Sequence, residues 1–454
     1  MPVIWAETAL TPEGWVEAVR VVLGPDGRIE SVRAGAEPEG TRVGALAPAP
    51  ANLHSHAFQR AMAGLTERRG PDPKDTFWTW RRLMYRFLDQ LTPGDVEAIA
   101  ALVQIEMLES GFAASGEFHY LHHRPDGGAY DDLGEMSGAI LRAAEASGIG
   151  LCLMPVLYEV GGCDGRALGP GQRRFGNDPE RFAALMARAE AMLPLLPEDA
   201  ALGVAPHSLR AVTEPGLQAA VALAGDRPIH IHVAEQEAEV EEVLAARGAR
   251  PVEWLLANAP VGPRWCLIHL TQMTAAETEA VAAAKAVAGL CPITEASLGD
   301  GIFNGVEFHA AGGRFGVGSD SDIRISLAEE LRQLEYSQRL RHKGRAMLAE
   351  PARSTGRALL EGAAWGGAQA LRRASGAVAP GLWGDLMALD LAHLDLEGKS
   401  GDALLDSWIF AGDDRMVSDV WAAGRHMVQG GRHVARDAIE ARARAVFRGL
   451  RDRL

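Results

Sequence analysis

Leu53-His-Ser-His-Ala-Phe-Gln59 decides the fold. It closes a strand candidate, Leu46–His56, at the place where a doubly wound sheet carries a Gly-rich phosphate turn. No glycine stands there. Two histidines do, two residues apart, the spacing that turns both imidazoles to one side of a strand. Seven more short apolar runs follow: Ala114–Tyr120, Gly150–Tyr158, Ala201–His207, Pro228–Val233, Trp265–Leu270, Ala286–Ile293 and Arg314–Asp320. Amphipathic stretches rich in Ala, Leu, Glu and Arg lie between them, among them Asp95–Ser110, Pro179–Leu193, Glu235–Arg247 and Thr274–Ala284. Eight β-then-α units are the sequence form of an α/β fold of the (β/α)8 or TIM-barrel type, here expected over residues 49–375.

Both ends of the chain differ from this middle. Residues 1–48 hold Val19–Leu23 and Ile29–Val32 around an Asp26-Gly27 turn. Residues 376–434 repeat the character with Asp385–Asp390, Val417–Trp421, His426–Val428 and Arg432–Val434. Neither segment buries a face alone, so the two are expected to fold together as a small β-sandwich domain. Residues 435–454 read as a terminal helix rich in Ala and Arg.

Composition narrows the function. With 47% hydrophobic residues among 454, the chain buries a large core, which excludes a disordered tail or a small stapled scaffold. Lys and Arg total 45 against 60 Asp and Glu, a net charge of -15. Such a surface repels phosphate backbones and anionic lipid, and no run of basic residues offsets it, so neither nucleic acid nor membrane is an expected partner. The four cysteines form no CxxC, and three lie in apolar strand-like runs, which suits reduced thiols in a cytoplasm. The start of the chain lacks a leader pattern, and no apolar stretch is long enough to span a bilayer. We expect a cytoplasmic homodimer.

Of fourteen histidines, His54, His56, His119, His207, His230, His232 and His269 fall within or at the C-terminal end of a strand candidate. In a barrel that end is the active-site face. One such histidine is more often a hydrogen-bonded structural residue. The HxH pair changes the weighing, because other strand ends match it: His230-Ile-His232-Val-Ala-Glu235 on the fifth, His269 on the sixth and Gly318-Ser-Asp320 on the eighth. Three imidazoles and a carboxylate on one face describe a borderline divalent metal such as zinc, with a position left for water. Iron or manganese would accept the same ligands. Glu235, just past its strand, is placed to shuttle a proton.

This constellation resembles the amidohydrolase superfamily, whose members commonly carry a small β-sandwich built from both chain ends. For the deaminase branch the resemblance implies that His54, His56, His232 and Asp320 hold the metal. It further implies that Glu235 is the acid/base and that His269 orients or polarises a metal-bound hydroxide. Two-metal members often bridge their ions with a carboxylated lysine. The chain has four lysines, Lys74, Lys285, Lys343 and Lys399, none between residues 75 and 284, so one metal ion is favoured.

Five strings in order, Leu53–Gln59, Phe77-Trp-Thr-Trp-Arg81, Glu117-Phe-His-Tyr120, Ala205-Pro-His-Ser-Leu-Arg210 and Leu298-Gly-Asp-Gly-Ile-Phe303, are similar to the N-formimino-L-glutamate deiminases of bacterial histidine degradation. The resemblance implies hydrolysis of a linear amidine to N-formyl-L-glutamate and ammonia. That substrate is a dianion, so its site needs cationic and polar donors in an acidic protein. Arg210, His207, Arg81, Gln59 and Tyr120 are the substrate-binding candidates, arginine because its planar fork meets a carboxylate bidentately. Arg81 reads equally well as a solvated helix position, and Gln59 and Tyr120 as residues that orient His56. The run Phe77-Trp78-Trp80 is expected to pack. Two alternatives stand beside this reading: a deaminase of an aromatic base or nucleoside derivative using the same ligands, and a metal-free scaffold that has kept only the fold.

Overall fold

The computed structural model of the protein describes residues 1–67 and 77–453, with the backbone alone for 77–82. Four strands open the chain: β1 (Val3–Thr11), β2 (Gly14–Leu23), β3 (Ile29–Arg33) and β4 (Thr41–Pro48). Nine follow in the middle: β5 (Ala51–Ser55), β6 (Ala114–His119), β7 (Gly150–Leu157), β8 (Ala201–Leu202), β9 (Ala205–Pro206), β10 (Ile229–Val233), β11 (Trp265–His269), β12 (Val287–Leu290) and β13 (Arg314–Val317). Four close it: β14 (Leu386–Leu389), β15 (Val417–Ala422), β16 (Arg425–Gln429) and β17 (Arg432–His433).

The two ends of the chain make one hydrogen-bonded sheet, in the order β17-β16-β15-β14-β4-β1-β2-β3. Its joint is antiparallel, with β14 laid against β4 so that Leu386 faces Pro48 and Leu389 faces Ala45. Ile4, Val19, Val21, Leu46, Leu386 and Trp421 form a cluster of their own on this sheet. The predicted strand Leu46–His56 is two strands. Pro48 and Pro50 withhold backbone donors, so the ladder breaks at Ala49-Pro50: β4 joins the end sheet and β5 the middle. The run Ala201–His207 is likewise split at Gly203-Val204.

In the middle, β5 to β8 and β10 to β13 form two parallel arcs, with β9 paired to β7. Bridges Val204↔Ile229 and Ser208↔His232 link the arcs on one side, and Ser55↔Asp320 links the end of the last strand back to β5. Gly318 makes that return possible. A Cβ there would stand 2.7 Å from both the N and the O of His54. Helices alternate with these strands, among them Pro93–Glu109, whose Thr92 and Asp95 form a capping box, and Thr355–Ala370. No described helix is long and apolar enough to cross a membrane.

A buried clasp joins the end sheet to the middle. Arg373, just past the helix Thr355–Ala370, donates to Asp385 beside β14 at 2.6 and 2.9 Å and to Asp199 before β8 at 2.9 Å. Arg425 of β16 meets the same Asp199 at 2.7 and 2.9 Å. With two arginines around it, Asp199 is held below the ordinary carboxylate range in spite of burial.

Candidate active site

Strand ends bring the histidines together. His54 and His56 leave β5 with ring centroids 4.7 Å apart, and His232 of β10 stands 4.9 Å from His54. Asp320 follows β13, its Oδ1 3.3 Å from Nε2 of His56 and 3.6 Å from that of His54. The backbone bends sharply where these side chains converge: Ala234, His269 and Asp320 have φ of 54°, 76° and 50°, a region costly for residues with a Cβ.

Tautomers show what this cluster can hold. Nδ1 of His56 lies 2.9 Å from Phe118 O and Nδ1 of His232 lies 3.0 Å from His207 O. A carbonyl only accepts, so each Nδ1 carries the hydrogen and each Nε2 turns a lone pair inward. Nε2 of His232 is 3.1 Å from Nε2 of His54. Two Zn–N bonds of tetrahedral geometry require about 3.3 Å between nitrogens. Burial, with the neighbouring imidazoles, holds His54 and His232 well below the ordinary histidine range, and burial brings His56 to about 3. Neutral inward-facing imidazoles beside a carboxylate fit a divalent cation.

A second group of charges faces this one. Nε2 of His269 lies 3.8 Å from Asp320 Oδ2 and 3.9 Å from Glu235 Oε1, while its Nδ1 lies 3.3 Å from Glu295 Oε1. Burial opposes protonation of His269, but the surrounding carboxylates, Glu235 foremost, carry it up to about 10. Burial raises Asp320 to about 7 against the pull of His269. Arg210 closes the group, buried, with Nη2 3.3 Å from Glu235 Oε2. Its Nε is buried and has no hydrogen-bond partner among the described residues.

Gln59 Nε2 donates to the Tyr120 hydroxyl at 2.9 Å, and the Tyr120 ring packs edge-on against His56. Gln59, Tyr120, His207, Arg210, Glu235 and Asp320 all border one cleft of about 50 Å³. Arg81 lies on the helix Phe77–Leu88, and its side chain, with those of Phe77, Trp78 and Trp80, lies outside the described residues. His230 and His119 stand apart: His230 Nε2 meets Ala370 O at 2.9 Å, and His119 does not border the cleft.

Residues 45–427 match the model of the amidohydrolase family, and residues 1–42 match that of the formimidoylglutamate deiminase HutF N-terminal domain. The formimidoylglutamate deiminase of Pseudomonas aeruginosa is 49% identical over 442 residues, which are 96% of this chain and 97% of that protein. The chain belongs to the amidohydrolase family. A crystal structure of an amidohydrolase from Brucella melitensis superposes with a TM-score of 0.94 at 49% identity, covering 99% of this chain and 100% of that one. An adenosine deaminase from Xanthomonas campestris, determined with bound zinc, has the same fold at 20% identity, with a TM-score of 0.82 over 99% of this chain and 98% of that one.

Several residues of this amidohydrolase site escape a reading of the sequence. Glu295, four residues past Cys291, receives the Cys291 N–H at 2.8 Å and faces His269. Glu239 takes the backbone N–H groups of Ala234 and Glu235 at 3.3 and 2.9 Å, fixing the bend that presents Glu235. Behind the HxH pair, the Ser55 hydroxyl lies 2.7 Å from Glu117 and 3.0 Å from Asp322. Here a signal existed: strand alternation turns the serine of His-Ser-His away from the two histidines, so a buried polar partner was required. Glu295 and Glu239 offered none, because both sit in ordinary helical sequence.

Proposed function

We infer that this chain hydrolyses N-formimino-L-glutamate to N-formyl-L-glutamate and ammonia in histidine degradation. Near-full-length identity of 49% to a formimidoylglutamate deiminase carries the reading, together with the separate match of the first 42 residues to that enzyme's N-terminal domain. Its test is ammonia release from N-formimino-L-glutamate, set against N-formimino-glycine and guanine. An aromatic-base deaminase has less in its favour, since the cleft holds a buried arginine suited to a carboxylate.

The middle strands are read as a (β/α)8 barrel over 49–375, supported by the bridges on both sides of the two arcs. Residues 1–48 and 376–434 are read as the sandwich domain and 435–454 as a terminal helix. One divalent ion, zinc by ligand chemistry, is assigned to His54, His56, His232 and Asp320. When bound, such an ion lowers the pKa of water to roughly 7 and so supplies a nucleophile at neutral pH.

The chain's own groups do the rest. Asp320 and His269 flank the attacking water, Asp320 taking its proton while His269 holds it in line with the formimino carbon. As the C–O bond forms and the C–N bond breaks, Glu235 passes a proton to the departing nitrogen, so ammonia leaves and not an amide anion. Arg210 links this step to binding. A substrate carboxylate arriving at Arg210 takes the place of Glu235, which frees Glu235 to turn to the reacting nitrogen. His207, Gln59, Tyr120 and Arg81 complete the polar wall for the second carboxylate and the formamidine. A cleft of about 50 Å³ is small for a substrate of this size, so binding is read as involving movement of side chains that line it, Met84 and Arg210 among them. None of the four cysteines is in a disulfide, which suits the cytoplasm; the expected homodimer is read out by light scattering.

A further inference from the structure

At the opposite ends of the strands from the cleft lies a larger cavity of about 840 Å³. Arg264 precedes β11, the strand that ends in His269, and Arg314 opens β13, which leads to Asp320. Arg264 is five positions from His269 and Arg314 six from Asp320, about 16–20 Å in extended chain. Arg264, Arg314 and Arg372 line this cavity with Trp365, Pro260 and Pro263, and among the described residues no Asp or Glu lines it. The three arginines come from separate parts of the chain, which is why no basic run announces them.

We propose that this cavity binds a small polyanion carrying a flat ring, of the nucleoside polyphosphate class. Its arginines are unlike most others in the protein. Arg264 donates to Gly225 O, Arg314 to Gln369 Oε1 at 2.8 Å and Arg372 to Asp226 O, all uncharged acceptors. Among the described residues none of the three meets a carboxylate, whereas Arg373, Arg357, Arg188 and many others do. In a chain with a net charge of -15, three guanidinium groups without counter-charges around one cavity concentrate positive potential there. Each keeps most of its five N–H donors for an incoming anion. Trp365 is 41% exposed at the rim and already carries the Arg353 guanidinium over its ring at 5.2 Å, an arrangement that receives a further planar group. The volume lies within the range of small-molecule sites.

The test uses the full chain, titrated with ATP and with inorganic tripolyphosphate by calorimetry at two salt concentrations. Both bind, ATP the more tightly, and added salt weakens both. R314E/R372E lowers both affinities by about tenfold or more, and R314Q/R372Q reads the same loss should the reversal fail to fold. W365A lowers ATP affinity to that of tripolyphosphate. Ammonia release is unchanged in each variant, since none of these side chains borders the cleft. Absence of binding by either probe at millimolar concentration overturns the proposal, as does an R314Q/R372Q protein that binds both as the parent does. Equal affinity for the two probes, insensitive to W365A, removes the flat ring. Binding of poly-L-glutamate alone would make the cavity a protein-docking surface and the proposal wrong.

Discussion

Replacing Arg210 by Met tests the link between substrate capture and proton delivery. Met keeps much of the stem length and removes the planar fork. Arg210 is 7% exposed, so a substrate carboxylate reaching it sheds most of its water and depends on the guanidinium for compensation. Loss of one partner from a buried charge pair costs about 2–5 kcal/mol, which corresponds to a fall in kcat/KM of roughly 30-fold at the least. The same substitution leaves Glu235 with His269 at 3.9 Å as its remaining cationic neighbour. Turnover at saturation should therefore fall less than kcat/KM, because delivery of the proton survives while capture does not. The assay is ammonia release under initial-rate conditions, with metal content and thermal unfolding as controls. A panel of N-formimino compounds lacking either the α-carboxylate or the side-chain carboxylate adds the decisive readout. The variant should lose discrimination against one of them. Unchanged efficiency with unchanged selectivity toward both carboxylates would refute the reasoning.

Metal content should be about one zinc equivalent per chain, and chelation should abolish activity reversibly; a rigorously metal-free sample with full activity would remove the His54, His56, His232 and Asp320 assignment. Glu235→Gln should reduce turnover by at least about 100-fold with the metal retained, and near-native turnover would take the proton role away from Glu235. Arg373→Met should destabilise the fold by about 3–5 kcal/mol in denaturant titrations, since Asp199 and Asp385 stay buried with fewer counter-charges. Because Asp199 is held below its unfolded value, its contribution is complete above about pH 4 and disappears as pH falls through the folded value. The parent should therefore lose more stability than Arg373→Met between pH 5 and pH 3, and parallel losses would contradict the clasp.

Much of this architecture is readable in the sequence because hydrophobic period and turn residues carry it. The helix read as Pro179–Leu193 runs Pro179–Met192, where Asp178 caps the start and Pro179 occupies the first turn. The cluster of histidines is legible for a related reason: an HxH pair on a strand turns both rings to one side, and His232, His269 and Asp320 each fall at the end of an apolar run. Boundaries are less so where proline decides, as at Pro48 and Pro50, since a continuous apolar run conceals which sheet each half will join. What the sequence conceals most is pairing across distance. Arg210 reads as a substrate anchor, but nothing in its neighbours shows that it rests against Glu235, twenty-five residues on. Glu295 and Glu239 are ordinary helical glutamates until folding sets them against His269 and the bend after Val233.

The pairing of β4 with β14 also sets a timetable. About 340 residues of chain separate Pro48 from Leu386, so at roughly 5–20 residues per second the ribosome leaves the β4 edge waiting for tens of seconds. During that interval β1 covers one side of β4, while its other row of amide and carbonyl groups is unpaired and open to any extended strand nearby. A nascent chain in this state is a template for mispairing, and a polysome lines up many copies of it. Chaperone demand should thus peak late in synthesis and fall when Leu386–Leu389 emerges. Moving the break in the chain to a loop of the middle segment, with the natural ends joined, would put β14 and β4 into the same early product and shorten the wait.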